Sequence, residues 1–310
     1  MAGPRLSILL GKGGVGRTTV ATALAAGLAS QGKRVLLLGA VSNADVEARL
    51  RNEARGIQLQ GRLEFREVNS RALVDELART ILAMGPMTDF ILKHPAYDSM
   101  VGIMPGVHEL ALLNLLYNLQ KGNEFDHIIL DGPATGHGLH FLEAPEKSSP
   151  IMAGKLRERA EAIRAMLQDP AATEMIVVTT AEEMPVRETL ELAAAIRRGG
   201  FHLEHVVVNR WLPAVLDHPG AARVLRSLAE DEAQRAKLSR SIAHKSRINV
   251  DQLVTALTLV KGQRDEALEH RGTLESLQVP LSIVPLIPDP EGRLMKVWDA
   301  LALKPREVGA

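Results

Sequence analysis

Leu6-Ser7-Ile8-Leu9-Leu10-Gly11-Lys12-Gly13-Gly14-Val15-Gly16-Arg17-Thr18-Thr19 combines an apolar run, a glycine-rich turn and two hydroxyls. A short apolar run ending in a turn signal reads as a buried strand. Thr18 to Gln31 then has Val20, Leu24, Gly27 and Leu28 at helical spacing and stops at Gly32, so it reads as a helix. When a strand turns through glycines straight into a helix, successive backbone N–H groups can converge on a polyphosphate. The helix N-terminus adds its positive dipole. Gly13, Gly14, Val15, Gly16, Arg17, Thr18 and Thr19 are therefore candidate nucleotide contacts. Thr18, directly after the basic residue, is placed to ligate Mg²⁺.

The rest of the chain repeats the alternation. Val35–Leu38, Arg62–Val68, His127–Leu130, Met175–Thr179, Val206–Asn209 and Leu281–Pro285 read as further strands. Arg71–Met84, Val107–Gln120, Lys155–Gln168, Pro185–Arg198 and Ala221–His270 read as helices, the last broken near Ser246–Asn249. Met84–Met104, with Pro86 and Pro95, reads as irregular. Strands alternating with helices imply an α/β fold with a mostly parallel sheet and right-handed crossovers. The expectation is one domain over residues 1–310, with helical insertions at about 70–120 and 210–275.

Composition narrows the function classes. Of 310 residues, 46 % are apolar and only 3 % aromatic, so the core must be chiefly Leu, Val, Ile and Ala. Lys plus Arg and Asp plus Glu are 37 each, a balance that calls for neither nucleic acid nor an anionic membrane as main partner. No apolar run approaches the roughly 20 residues of a membrane span, and no signal peptide is evident, so a cytoplasmic protein is expected. The chain has no cysteine, which excludes disulfides and thiolate metal sites.

A second motif follows the His127–Leu130 strand: Asp131-Gly132-Pro133-Ala134-Thr135-Gly136-His137-Gly138-Leu139-His140-Phe141-Leu142. A carboxylate at the C-terminal end of a parallel strand lies beside the phosphate loop, where it can hold Mg²⁺ through water. The first loop resembles the deviant Walker A sequence KGGxGK[ST]T of P-loop NTPases such as partition ATPases and nitrogenase iron protein. The second resembles the DTAPTGHTLRFL switch II stretch of the arsenite-pump ATPase (ArsA) and the ATPase that targets tail-anchored proteins (the GET pathway). The likeness runs from Leu6 to about Trp298, and the chain is identified as a degenerate, bacterial-type member of that family. The resemblance implies MgATP bound by a dimer. Lys12 would reach the partner's phosphates, Asp131 would be the Mg²⁺-linked carboxylate, and Thr135 and Gly136 would belong to the γ-phosphate sensor. Asn209, which ends a strand, would contact adenine, and the loop through Pro288 and Asp289 would frame the base.

Several positions depart from the family pattern. The loop's usual second lysine is Arg17, whose forked guanidinium is no simple substitute for a point charge. The switch I aspartate that positions the attacking water corresponds to Val41, which can neither orient nor deprotonate water; Asp45 lies four residues on. Without thiols, neither arsenite capture nor a zinc-closed dimer is available. Met84, Met87, Met100 and Met104 are the candidates for a small apolar client surface. Three functions remain open: a slow or partner-dependent ATPase acting as a homodimer or with an ArsA-like paralogue; a catalytically inactive nucleotide-binding scaffold beside an intact paralogue; or a DNA- or membrane-binding partition ATPase. The last is disfavoured because Leu294, Val297, Trp298 and Leu301 of the terminal helix, about Glu291–Leu303, are spaced to pack on the domain.

Overall fold

The computed structural model describes residues 5–39, 43–54, 59–82, 86–103, 106–134, 141–145, 154–214, 217–242 and 249–301. Seven parallel strands form one sheet: β1 (Arg5–Gly11), β2 (Val35–Gly39), β3 (Leu63–Glu67), β4 (His127–Ala134), β5 (Thr173–Thr180), β6 (Leu203–Trp211) and β7 (Leu281–Pro285). Their order across the sheet is β3-β2-β4-β1-β5-β6-β7. β1 is thus central, flanked by β4 and β5, and its alternate side chains feed two cores. Leu6, Ile8 and Leu10 pack with α6 (Val107–Gly122), α8 (Lys155–Gln168) and α9 (Glu183–Arg198). Leu9 points to the opposite face, against α1 (Arg17–Ser30) and α13 (Arg293–Leu301). The expected parallel α/β architecture is present, and the strand assignments match to within a few residues.

Four segments differ from the expectation or escape it. Met84–Met104 is not irregular: α4 (Pro86–Leu92) and α5 (Pro95–Ile103) lie within it. Each begins on the proline that suggested a break, because a first-turn N–H has no helical partner to lose and the ring fixes a helical φ. The Ala221–His270 helix divides near Asn249 as expected, but also at Asp231. It becomes α10 (Pro219–Glu230), α11 (Glu232–Ile242) and α12 (Val250–Glu275), with Asp231 accepting from Gln234 N and Asn249 from Gln252 N. Helix α2 (Asn43–Glu53) carries little apolar signal; Val46 is its buried residue. Alpha-helical residues 141–145 (α7) follow the second motif. The remaining helix, α3 (Ser70–Leu82), falls where its periodicity put it.

Helix α13 closes the α1 face. Leu294, Val297 and Leu301 are buried there, as their spacing suggested. Trp298 lies on α1 at Gly27, where a Cβ would come within 2.0 Å of the indole ring. A glycine inside a helix costs about 1 kcal/mol in propensity; here it makes room for a large aromatic.

The same face also buries a polar row. Ser7, His127, Glu174, His205 and Ser282 each lie two positions before an apolar core residue: Leu9, Ile129, Ile176, Val207 and Val284. The Ser7 hydroxyl donates to Glu174 and lies 2.7 Å from His127 Nε2, so the imidazole donates to the hydroxyl. Arg5 pairs with the same Glu174. His205 Nε2 lies 2.6 Å from Ser282 Oγ, which donates to the Leu301 carbonyl and ties α13 to the sheet. Burial, with the Arg5 and Lys33 charges adding to it, pushes the His127 pKa down to about 3, and burial lowers that of His205 as well.

Two outcomes are expected. Gly27→Ala should destabilise the fold by about 1–3 kcal/mol in urea denaturation, and most of that cost should vanish in a Trp298→Ala background. For the histidines, the unfolded state takes up a proton below its ordinary pKa of 6.5 while folded His127 refuses one until about pH 3. Stability should therefore fall as pH drops through that window, by at most about 1.4 kcal/mol per pH unit from this group. His127 keeps some exposed area, so the measured slope should be smaller. Urea midpoints at pH 7 and pH 4 should differ less in His127→Gln than in the parent.

Candidate functional site

Sheet register creates the site. β1 pairs with β4 so that Leu9 lies opposite Asp131 and Gly11 opposite Ala134, which sets the glycine turn beside the carboxylate. On the other side β5 pairs with β6, placing Asn209 opposite Thr180. The turn between β1 and α1 therefore faces the C-terminal ends of several strands, where ligands bind in open parallel sheets. Gly16 caps α1 with φ 90° and ψ 24°, a left-handed conformation that suits glycine. A Cβ at Gly16 would also come within 2.2 Å of Asn209 Nδ2.

Asp131 is held from two adjacent residues of α1. The Thr18 hydroxyl donates to Oδ2 at 2.6 Å, and Arg17 Nε donates to Oδ1 at 3.1 Å. Arg17 Nη1 further donates to the Gly11 carbonyl at 2.6 Å and to Pro133 at 3.0 Å. The side chains are 16 % and 8 % exposed, so this ion pair is largely out of water. Thr18 and Asp131 offer the hydroxyl and carboxylate oxygens that the implied Mg²⁺ prefers. The charge does not fit, because the carboxylate meant to hold the ion's hydration water already carries a guanidinium.

Lys12 forms an ion pair with Glu188 of α9, Nζ to Oε1 2.8 Å. The Asn209 side chain is buried and fastens the loop: Nδ2 donates to the Val15 carbonyl at 2.8 Å and Oδ1 accepts from Arg210 N at 2.9 Å. Beside it opens a cavity of about 290 Å³ lined by Gly16, Thr19, Asn209, Pro285, Pro288 and Arg293, among others. The structure thus gathers the end of the glycine turn, Asn209 and the Pro288 loop around one space. Asp289 does not line it; its carboxylate accepts from Glu291 N at 2.9 Å.

Some residues at the site were not foreseen from sequence. Arg49 of α2 donates to Thr19 Oγ1 at 3.1 Å, and Arg293 donates to the Pro288 carbonyl at 3.2 Å. Arg293 also faces Glu53, Nη1 to Oε1 3.7 Å. Arg49 and Glu53 are charged residues of α2, a helix without apolar periodicity to signal it, and the pairing of Arg293 with Glu53 joins residues distant in sequence. A second cavity, about 250 Å³, adjoins Asp131 on the far side from Asn209 and is bordered by Ser70, His108 and Glu109. Val41, Thr135, Gly136, His137, Leu139, Met84 and Met104 lie outside the described residues. Met87 is exposed; it is not among the residues that line the apolar cavity of about 180 Å³ between α3, α4, α5 and α6. Asp45 is in the first turn of α2.

Comparison with known proteins agrees with this geometry. The family model described as "Anion-transporting ATPase" matches residues 5–159 and 153–244. ATPase BagA of Mycobacterium tuberculosis is 26 % identical over 323 aligned positions, covering 97 % of this chain and 94 % of its own. The arsenical pump-driving ATPase of Escherichia coli is 28 % identical over 222 positions, 67 % of this chain and 35 % of its own. ATPase GET3C of Arabidopsis thaliana is 23 % identical over 266 positions, 66 % of each. With a glycine loop at the end of the central strand, a carboxylate fixed beside it and a family match across more than two thirds of its length, the chain belongs to the ArsA family of anion-transporting ATPases.

Proposed function

We propose that this chain binds ATP at the turn between β1 and α1 and works as a dimer, with itself or with an ArsA-like paralogue, hydrolysing slowly or only with that partner. The cavity enclosed by Gly16, Asn209 and Pro288 at the end of the phosphate loop carries the reading. Backbone N–H groups of Gly13 to Thr18 would receive the phosphates, and the cavity the base. Lys12 is available for a partner's nucleotide once it leaves Glu188; that bridge is partly exposed and weak. None of the described helices is long and apolar enough to cross a membrane, in keeping with a cytoplasmic role. A relative is named for driving an arsenical pump, but capture of arsenic(III) here would lack thiolates, so the cargo is of another kind. Exposed Met87 and Phe90 support an apolar protein client.

One observation favours the second reading, in which the chain is a catalytically inactive scaffold. Arg17, at the position of the family's catalytic lysine, is committed to Asp131 and two backbone carbonyls. Such a group stabilises little of the charge that develops in phosphoryl transfer.

Calorimetry should show ATP uptake by the purified chain. Its turnover alone should be on the order of 100-fold below that of an Arg17→Lys, Val41→Asp double variant, in which charge and water positioning return. No nucleotide uptake, even with a paralogue added, ends the proposal. Asn209→Ala should weaken ATP binding about tenfold, one neutral hydrogen bond's worth, as the Val15 carbonyl loses its donor and the loop its brace. An unchanged affinity would remove Asn209 from the site.

A further inference from the structure

The charge at Asp131 points past the family pattern. In a metal-dependent phosphate loop, the divalent ion bridges the polyphosphate to the strand-end carboxylate through water. Here the bridge on the protein side is already made. Arg17 Nε sits on Asp131 Oδ1 at 3.1 Å, and Nη1 is fixed by the carbonyls of Gly11 and Pro133 at 2.6 and 3.0 Å. Thr18 takes the other carboxylate oxygen. These bonds use Nε and one Nη1 fork; Nη2 has no partner among the described residues. A guanidinium has five donors in a rigid plane, so with Nε on the carboxylate and Nη1 on the two carbonyls, the two N–H groups of Nη2 are left for a phosphate oxygen. A lysine ammonium has three donors, too few for the carboxylate, both carbonyls and a phosphate together.

We infer that Arg17 takes the place of the divalent cation, bridging Asp131 to the polyphosphate, so that this chain binds a metal-free nucleoside di- or triphosphate. The inference rests on the nucleotide reading above. A dication brought to Asp131 would meet a guanidinium that three hydrogen bonds keep in place, and metal would therefore contribute nothing to affinity.

The test is calorimetric titration of ATP into the full-length chain, once in excess EDTA and once in millimolar Mg²⁺. Affinity in EDTA should equal or exceed that in Mg²⁺. In Arg17→Lys it should fall about tenfold in EDTA and recover with Mg²⁺. Should Arg17→Lys fail to fold, Asp131→Asn decides. Removing the carboxylate frees the guanidinium for phosphate, so affinity in EDTA should hold or rise, whereas a metal-anchoring Asp131 would lose affinity in Mg²⁺. Parent binding that appears only with Mg²⁺, or an Asp131→Asn loss confined to Mg²⁺, overturns the inference while leaving the nucleotide reading intact. No heat with ATP in either medium, from protein folded by circular dichroism, removes both.

Discussion

A carboxylate almost out of water is costly unless its oxygens are paired or hydrogen-bonded. Asp131 meets that requirement entirely from the first turn of α1, through Arg17 and Thr18. The consequence reaches beyond one ion pair. The register of β4 beside β1 brings the carboxylate to the start of α1, and the glycine turn places Arg17 and Thr18 within reach of it. Asn209 closes the opposite side by holding the Val15 carbonyl. The loop is thereby braced from both sides by the protein's own side chains.

Two cations serve this turn, and their environments separate their roles. Lys12 and Glu188 are about a third and a quarter exposed. Bridges of that kind contribute about 0–1 kcal/mol, so Lys12 leaves its partner easily for a stronger anion. Arg17 and Asp131 are far less accessible, and stripping one partner from a buried pair costs about 3–5 kcal/mol. Between the two, Lys12 is the more easily released and Arg17 the more firmly held.

The framework was legible in sequence where physics acts locally. Apolar runs between turn signals gave all seven strands, and Leu294, Val297 and Leu301 announced the helix that covers α1. The two loop motifs located the site because strand–glycine–helix and strand–carboxylate contexts are local signals. What stayed hidden was either a proline read as a breaker when it starts a helix, at Pro86 and Pro95, or a pairing between distant residues. Nothing in the neighbourhood of Lys12 indicates Glu188, 176 positions on. The commitment of Arg17 to Asp131 is likewise a product of sheet register, invisible to spacing along the chain. The polar row beneath α13 arises from five strands each contributing one residue, a pattern seen only once strand order is known.

Binding and chemistry at such a loop depend on different atoms. Phosphates are held chiefly by backbone N–H groups, whose direction is set by glycine conformations and by braces such as Asn209. Turnover depends on side chains: a mobile cation, a metal-linked carboxylate and a group that aims water. Arg17 is a side-chain departure from the family pattern, whereas the glycine turn and its Asn209 brace are kept. The close approach of Gly16 to Asn209 shows the cradle still built to tolerances that no side chain at position 16 would fit. An ordinary strand-to-helix connection needs no left-handed glycine packed against a buried amide, so the shape of this turn is set by the contact between positions 16 and 209 as well as by helix initiation.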